Sequence, residues 1–140
     1  MKVSEVMTAQ VATAQPSSPI KAVGKMMSDV DSGVIPIVDD GKVVGLVTDR
    51  DIVLRVVAED GDLDAAVSTI MTGDVQTCSE EDSVADAVGK MASLKIRRLL
   101  VLNQAGRLAG IVSLGDISKD YGAKQVGKTL EEISFAPPDQ

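Results

Sequence analysis

Two tetrads in this 140-residue chain set a hydroxyl three residues ahead of an aspartate: Thr48-Asp49-Arg50-Asp51 and Ser113-Leu114-Gly115-Asp116. Each follows a glycine and two apolar residues, in GLVTDRDIV and GIVSLGDIS. A hydroxyl with an acid at this spacing is a capping box, in which the hydroxyl caps a helix start and the acid reaches back to it. The same pair also has ligand chemistry. A helix start presents free amides and the positive end of the dipole, which favour an anion, and the hydroxyl adds a donor for phosphate. A carboxylate one turn in carries two acceptor oxygens, which suits the vicinal hydroxyls of a ribose. The capping and binding readings are compatible, and the residues alone leave both open.

Composition narrows the alternatives. The chain has no histidine, so the commonest general base, the Ser-His and Cys-His pairs and most zinc sites are absent together. No catalytic constellation and no metal site is expected. The acidic stretches, EDGDLD in particular, lack the spacing of a calcium loop and read as solvated. Net charge is −7, with one Phe, one Tyr and no Trp, which disfavours nucleic acid as a partner. Cys78 is the single cysteine, so no intrachain disulfide can form and a reducing compartment is expected. No apolar run approaches the roughly 20 residues that span a bilayer, and MKVSEVMTAQ lacks a signal-peptide core. No membrane association and a cytoplasmic location follow as expectations.

The elements that must position the tetrads are themselves written twice. VMT at 6–8 returns as IMT at 70–72, AVGKM at 22–26 returns unchanged at 87–91, and VIPIV at 34–38 matches RLLVL at 98–102. Blocks recurring in one order at a nearly constant offset mark an internal duplication. Each copy predicts a short strand (VAT at 11–13, VQTC at 75–78) and then an amphipathic helix. The helices carry apolar residues at Ile20, Val23, Met26 and Met27, and at Val84, Ala87, Val88 and Met91. SEEDS supplies the hydroxyl and acid of the second helix start. Two apolar runs joined by DDG or NQAG then predict a hairpin, and a last helix opens at the tetrad. The expectation is an α/β (α+β) fold of two β-α-β-β-α units packed as one pseudo-symmetric pair. Residues 1–60 and 67–121 hold the copies, 61–66 an acidic linker. Residues 122–140 form a partly disordered tail, with one short helix near 129–133 and order ending at Pro137-Pro138.

This order of motifs, MT, apolar helix, GVIPIVDDG and GLVTDRDI, resembles a tandem pair of CBS domains, the Bateman module, in its small stand-alone bacterial form. The resemblance runs from about Val6 to Tyr121. It implies a regulatory module that takes an adenine nucleotide (AMP, ADP, ATP or S-adenosylmethionine) in clefts between the two copies and commonly forms a homodimer. Carried over by position, Asp51 and Asp116 would hold ribose hydroxyls, with Thr48 and Ser113 near ribose or phosphate. Val11–Thr13 and Val75–Thr77, and with them Thr13 and Thr77, would line the base pockets together with Val34, Ile35 and Pro36 and with Arg98, Leu99 and Leu100. The second copy departs from the pattern by placing Leu100 where the first has Pro36. Arg97 and Arg98 are candidates for a phosphate, as are Arg50 and Arg55, because a guanidinium can pair with it bidentately. No further cofactor is implied. Output would pass to an effector protein of unknown identity. The competing expectation is a ligand-free dimeric scaffold with collapsed clefts.

Overall fold

Apolar runs split by a turn dipeptide become hairpins here, and amphipathic stretches become the helices that cover them. The computed structural model describes residues 1–119 and 130–133. Its elements run β1 (Thr8–Ala9), α1 (Ile20–Val30), β2 (Val34–Asp39), β3 (Lys42–Thr48), α2 (Asp49–Ile52), β4 (Thr77–Ser79), α3 (Val84–Leu94), β5 (Arg98–Leu102), β6 (Leu108–Ser113) and α4 (Leu114–Ile117). Single 3₁₀ turns lie at Val3–Glu5 and Val67–Thr69, and a π-helical turn at Val53–Val57 continues α2. The second repeat takes the full β-α-β-β-α order in a mixed α+β fold, and the first follows it from its helix onward. In the first the opening strand shrinks to a bridge between Ala14 and Ile37.

Two prolines account for that difference. In the second repeat the parallel pairing of β4 with β5 is framed by bonds from Leu100 N–H to Gln76 O and from Glu80 N–H to Leu102 O. The positions matching Leu100 and Glu80 in the first repeat are Pro36 and Pro16, which have no amide hydrogen to donate. Only the inner bonds survive there, Ala14 N–H to Pro36 O (3.1 Å) and Val38 N–H to Ala14 O (2.8 Å).

The hairpin turns follow their residues. Asp40 and Gly41 lie at φ 50° and 79° between β2 and β3, the paired left-handed conformation of a type I′ turn. In the longer β5–β6 turn the Asn103 side chain accepts from the amides of Ala105 (2.9 Å) and Arg107 (3.1 Å). Helix α3 is capped by Ser83, whose Oγ accepts from Asp86 N–H at 3.0 Å. Helix α1 begins after Pro19 without such a cap. Its first amides donate to carbonyls of the acidic linker, Ile20 to Ala65 (3.0 Å) and Lys21 to Leu63 (2.9 Å). The linker carboxylates stay exposed while its backbone completes a helix start.

Two compact units result. The first comprises residues 11–75; the second joins residues 1–10 to the described residues from 76 onward. Each unit therefore borrows the lead segment of the other repeat. Met1 O accepts from Val84 N–H in the second unit just as Ala65 O accepts from Ile20 N–H in the first. The repeated MT and the repeated glycine explain each other through this exchange. Met71 and Thr72 lie across Gly45, where a Cβ would come within 2.5 Å of the Met71 sulfur and 3.1 Å of the Thr72 carbonyl oxygen. Met7 and Thr8 lie across Gly110, where a Cβ would be 3.0 Å from the Met7 sulfur and would collide with the Thr8 carbonyl. Approaches this close favour glycine at both positions, most strictly at Gly110, where the obstacle is backbone.

The cores are aliphatic, as a chain almost without aromatics requires. In the first unit Ile20, Val23 and Met27 of α1 pack with Ile35, Ile37, Val47, Val56 and Val67. In the second, Val84, Ala87, Val88 and Met91 of α3 pack with Val3, Leu99, Val101, Val112 and Ile117. Sheet order in the second unit is β1-β6-β5-β4. Residues 130–133 are helical, and Ile133 is buried in this second core. The rest of the expected tail, Pro137-Pro138 included, lies outside the described residues.

Candidate functional site

Both hydroxyl–acid pairs form the reciprocal cap that their spacing predicts. Thr48 ends β3, and its Oγ1 accepts from Asp51 N–H at 3.1 Å while its own amide donates to Asp51 Oδ2 at 2.9 Å. Ser113 ends β6, with Oγ accepting from Asp116 N–H and its amide donating to Asp116 Oδ2, both at 3.1 Å. The box occupies one carboxylate oxygen and one hydroxyl lone pair. The second oxygen, Oδ1, takes no part in the cap and keeps its capacity to accept a hydrogen bond.

The two carboxylates differ in setting. Asp51 is buried, the one charged side chain so classed among the described residues, whereas Asp116 is half-buried. A buried carboxylate needs compensation. Beside the Thr48 amide, Asp51 has Arg55, whose Nε lies 3.8 Å from Oδ1 and whose Nη1 donates to Ile70 O at 3.1 Å. The spacing of four from Asp51 to Arg55 was visible in the sequence, but that Arg55 also reaches residue 70 was not.

Around each pair the fold gathers some of the expected residues. In the second unit Arg98 sits opposite Ser113 across β5 and β6, and Thr77 pairs with Leu100 across β4 and β5. Thr77 O accepts from Lys90 Nζ. Arg97 O accepts from Leu114 N–H at 3.0 Å, while the Arg97 side chain is exposed. In the first unit Val34 faces Thr48, Pro36 is buried in β2, and the exposed Thr13 directly precedes the Ala14 bridge to that strand. Ile35 and Leu99 require a correction as pocket-lining side chains. Both are 0% exposed in their own unit's core, because alternation along the strand turns them toward α1 and α3. Their backbone is all that either can offer a ligand. Arg50 is exposed, its amide bonded to Asp49 Oδ1 at 2.8 Å.

A surface hollow of about 230 Å³ at the end of α1 is lined by Met27, Ser28, Asp31, Ser32, Gly33 and Asp49. It includes neither Thr48 nor Asp51. Among the described residues no group of three or more His, Cys, Asp or Glu is placed to hold a metal ion, and no helix is long and apolar enough to cross a membrane. Cys78 is buried in β4. Desolvation, with a smaller contribution from the Asp82 carboxylate, pushes its thiol up to about 11, so it is no ready nucleophile.

Comparison with known proteins places these observations in a family. The CBS domain model matches residues 3–58 and 67–122. The chain is 37% identical over 133 residues to the CBS domain-containing protein YhcV of Bacillus subtilis, covering 94% of each. The structure resembles that of CBS domain protein PAE2072 from Pyrobaculum aerophilum complexed with AMP. The TM-score is 0.77 and the identity 27%, over 97% of this chain and 100% of that one. It also resembles the CBS domain pair of protein MJ0100 in complex with 5′-methylthioadenosine and S-adenosyl-L-methionine. Here the TM-score is 0.76 and the identity 30%, over 89% and 98% of the two chains. With the duplicated unit, both capping boxes and a match to each repeat in hand, the chain belongs to the CBS-domain family and carries two CBS domains.

Proposed function

We propose that this protein is a regulatory module that binds an adenine nucleotide and passes its occupancy to an effector protein by a change of conformation. Asp51 and Asp116 take the ribose hydroxyls through Oδ1, Thr48 and Ser113 stand at ribose or phosphate, and Arg97 or Arg98 meets the phosphate in the second unit. Backbone beside Thr13 and Thr77, along Val34–Pro36 and along Arg98–Leu100, reads the base. The role is regulatory rather than catalytic, the working form is a homodimer in the cytoplasm, and no further cofactor is required.

One observation carries this reading: both units hold a hydroxyl–aspartate box that spends only one carboxylate oxygen on the cap. The relatives supply the ligand class. AMP, 5′-methylthioadenosine and S-adenosyl-L-methionine, named with the two similar structures, differ in phosphate and sulfur but share adenine and ribose. A carboxylate aimed at ribose answers to the shared part. Ligand binding would act by stabilising one of two arrangements already in equilibrium.

A thermal-shift panel of AMP, ADP, ATP, S-adenosylmethionine, NAD and GTP tests the proposal, run on the native chain and on Asp51→Ala and Asp116→Ala. A ligand at about 100 times its Kd stabilises by about 2.7 kcal/mol. Stabilisation by an adenine ligand, lost in one or both variants, supports the reading. No shift across the panel overturns it and leaves the dimeric scaffold. Light scattering tests the dimer separately.

A further inference from the structure

Arg55 makes two contacts that neither the cap nor the repeat requires. Its guanidinium lies 3.8 Å from Asp51 Oδ1, the oxygen the capping box leaves over, and donates to Ile70 O at 3.1 Å. The Asp51 side chain is 12% exposed and that of Arg55 44%, so a largely buried carboxylate has a half-exposed cation beside it. Arg55 stands in the π-helical turn Val53–Val57, closed by Ala58 N–H to Val53 O at 2.8 Å. The turn just before it keeps the α-helical bond in both units, Val53 N–H to Asp49 O and Ser118 N–H to Leu114 O. Single π turns recur where a helix must re-aim a functional side chain. The position matching Arg55 after Asp116 is Asp120, an acid that cannot donate as a guanidinium does. A guanidinium at this position is therefore written into one copy of the duplicated pair.

We propose that Arg55 is a positioning residue for the first unit's ligand site: by bridging Asp51 Oδ1 to the Ile70 carbonyl it fixes the carboxylate in the orientation that accepts ribose hydroxyls. This rests on the reading of Asp51 given above. Arg55 acts through Asp51 and leaves the phosphate alone. Removing it weakens phosphorylated and unphosphorylated ligands alike, and it erodes discrimination at the ribose.

The test is calorimetric titration of the full chain, in an Asp116→Ala background, with AMP, adenosine and 3′-deoxyadenosine 5′-monophosphate. The chains compared are Arg55 intact, Arg55→Met, Arg55→Lys and Asp51→Ala. The proposal expects Arg55→Met to weaken AMP and adenosine by the same factor, about tenfold, as when a group that orients a ligating side chain is removed. It also expects the preference for AMP over its 3′-deoxy analogue to shrink, with part restored in Arg55→Lys. A loss confined to AMP shows a direct phosphate contact and overturns it. Unchanged affinities in both Arg55 variants, with binding lost in Asp51→Ala, overturn it while the adenine reading stands. A lower melting temperature with unchanged ribose discrimination reduces Arg55 to a structural ion pair and likewise overturns it. Absence of binding by the intact background chain and by the native chain removes both this proposal and the function on which it rests.

Discussion

Three glycine-to-alanine substitutions should move stability in different directions, because the same added methyl group meets three different surroundings. At Gly110 the new Cβ runs into the Thr8 carbonyl and sits 3.0 Å from the Met7 sulfur. The carbonyl is backbone, held by the pairing of Thr8 with Ile111 and Ala9 with Gly110. It can yield only if β1 lifts from β6. Overpacking of this kind costs about 1–3 kcal/mol, offset by about 0.4–1 kcal/mol because alanine restricts the unfolded chain. A net loss of about 1–2 kcal/mol follows. At Gly45 the nearest atom is the Met71 sulfur at 2.5 Å, the end of a flexible side chain, with Thr72 O next at 3.1 Å. Met71 can swing aside, so Gly45→Ala should lose less, about 1 kcal/mol or under. Gly89 is exposed within α3 with no atom within 4 Å of its Cβ position. Alanine there should gain about 0.5–1 kcal/mol from helix propensity alone. Urea unfolding by circular dichroism orders the three, and hydrogen exchange at Ile111 reports whether β1 has lifted. A Gly110→Ala protein as stable as the native chain, or one less perturbed than Gly45→Ala, would refute the close crossing of Thr8 over Gly110.

Other perturbations probe other parts of the fold. Thr48→Ala and Ser113→Ala should each lose about 1 kcal/mol of stability through the lost caps, read from urea midpoints. Lys95 closes α3 at φ 59° without being glycine, so Lys95→Gly should gain a few tenths to about 1 kcal/mol at unchanged m-value. Leu99→Ala, in a fully buried position, should lose about 2–5 kcal/mol, and calorimetry would show it. Because burial raises the Cys78 thiol to about 11, the folded state holds its proton where the unfolded state, near 9.0, releases it. The stability this contributes is full below about pH 9 and falls as pH rises toward about 11. Comparing the native chain with Cys78→Ala at pH 7.5, 9 and 10.5 isolates that slope, and a difference constant with pH would contradict it.

Local chemistry wrote much of this protein into its sequence. The hairpins followed from DDG and NQAG between apolar runs, the two long helices from apolar spacing, and both capping boxes from a hydroxyl three residues before an acid. Each depends on contacts within a few residues, so the order of side chains along the chain suffices. Duplication told the rest of the class, and with it the family. What tertiary structure decided involves partners far apart in sequence. Nothing local to Met7-Thr8 says that it crosses Gly110, or that Met1 completes the start of a helix at residue 84. The weak opening strand of the first unit needed both Pro16 and Pro36 to be seen beside one another's ladder. Ile35 and Leu99 looked like pocket walls until strand alternation placed them in the cores. At the candidate site the aspartate was legible and its setting was not. Arg55 ties Asp51 to Ile70 only because the fold brings a π turn and a distant carbonyl together, and a sequence encodes such a meeting only through the whole chain at once.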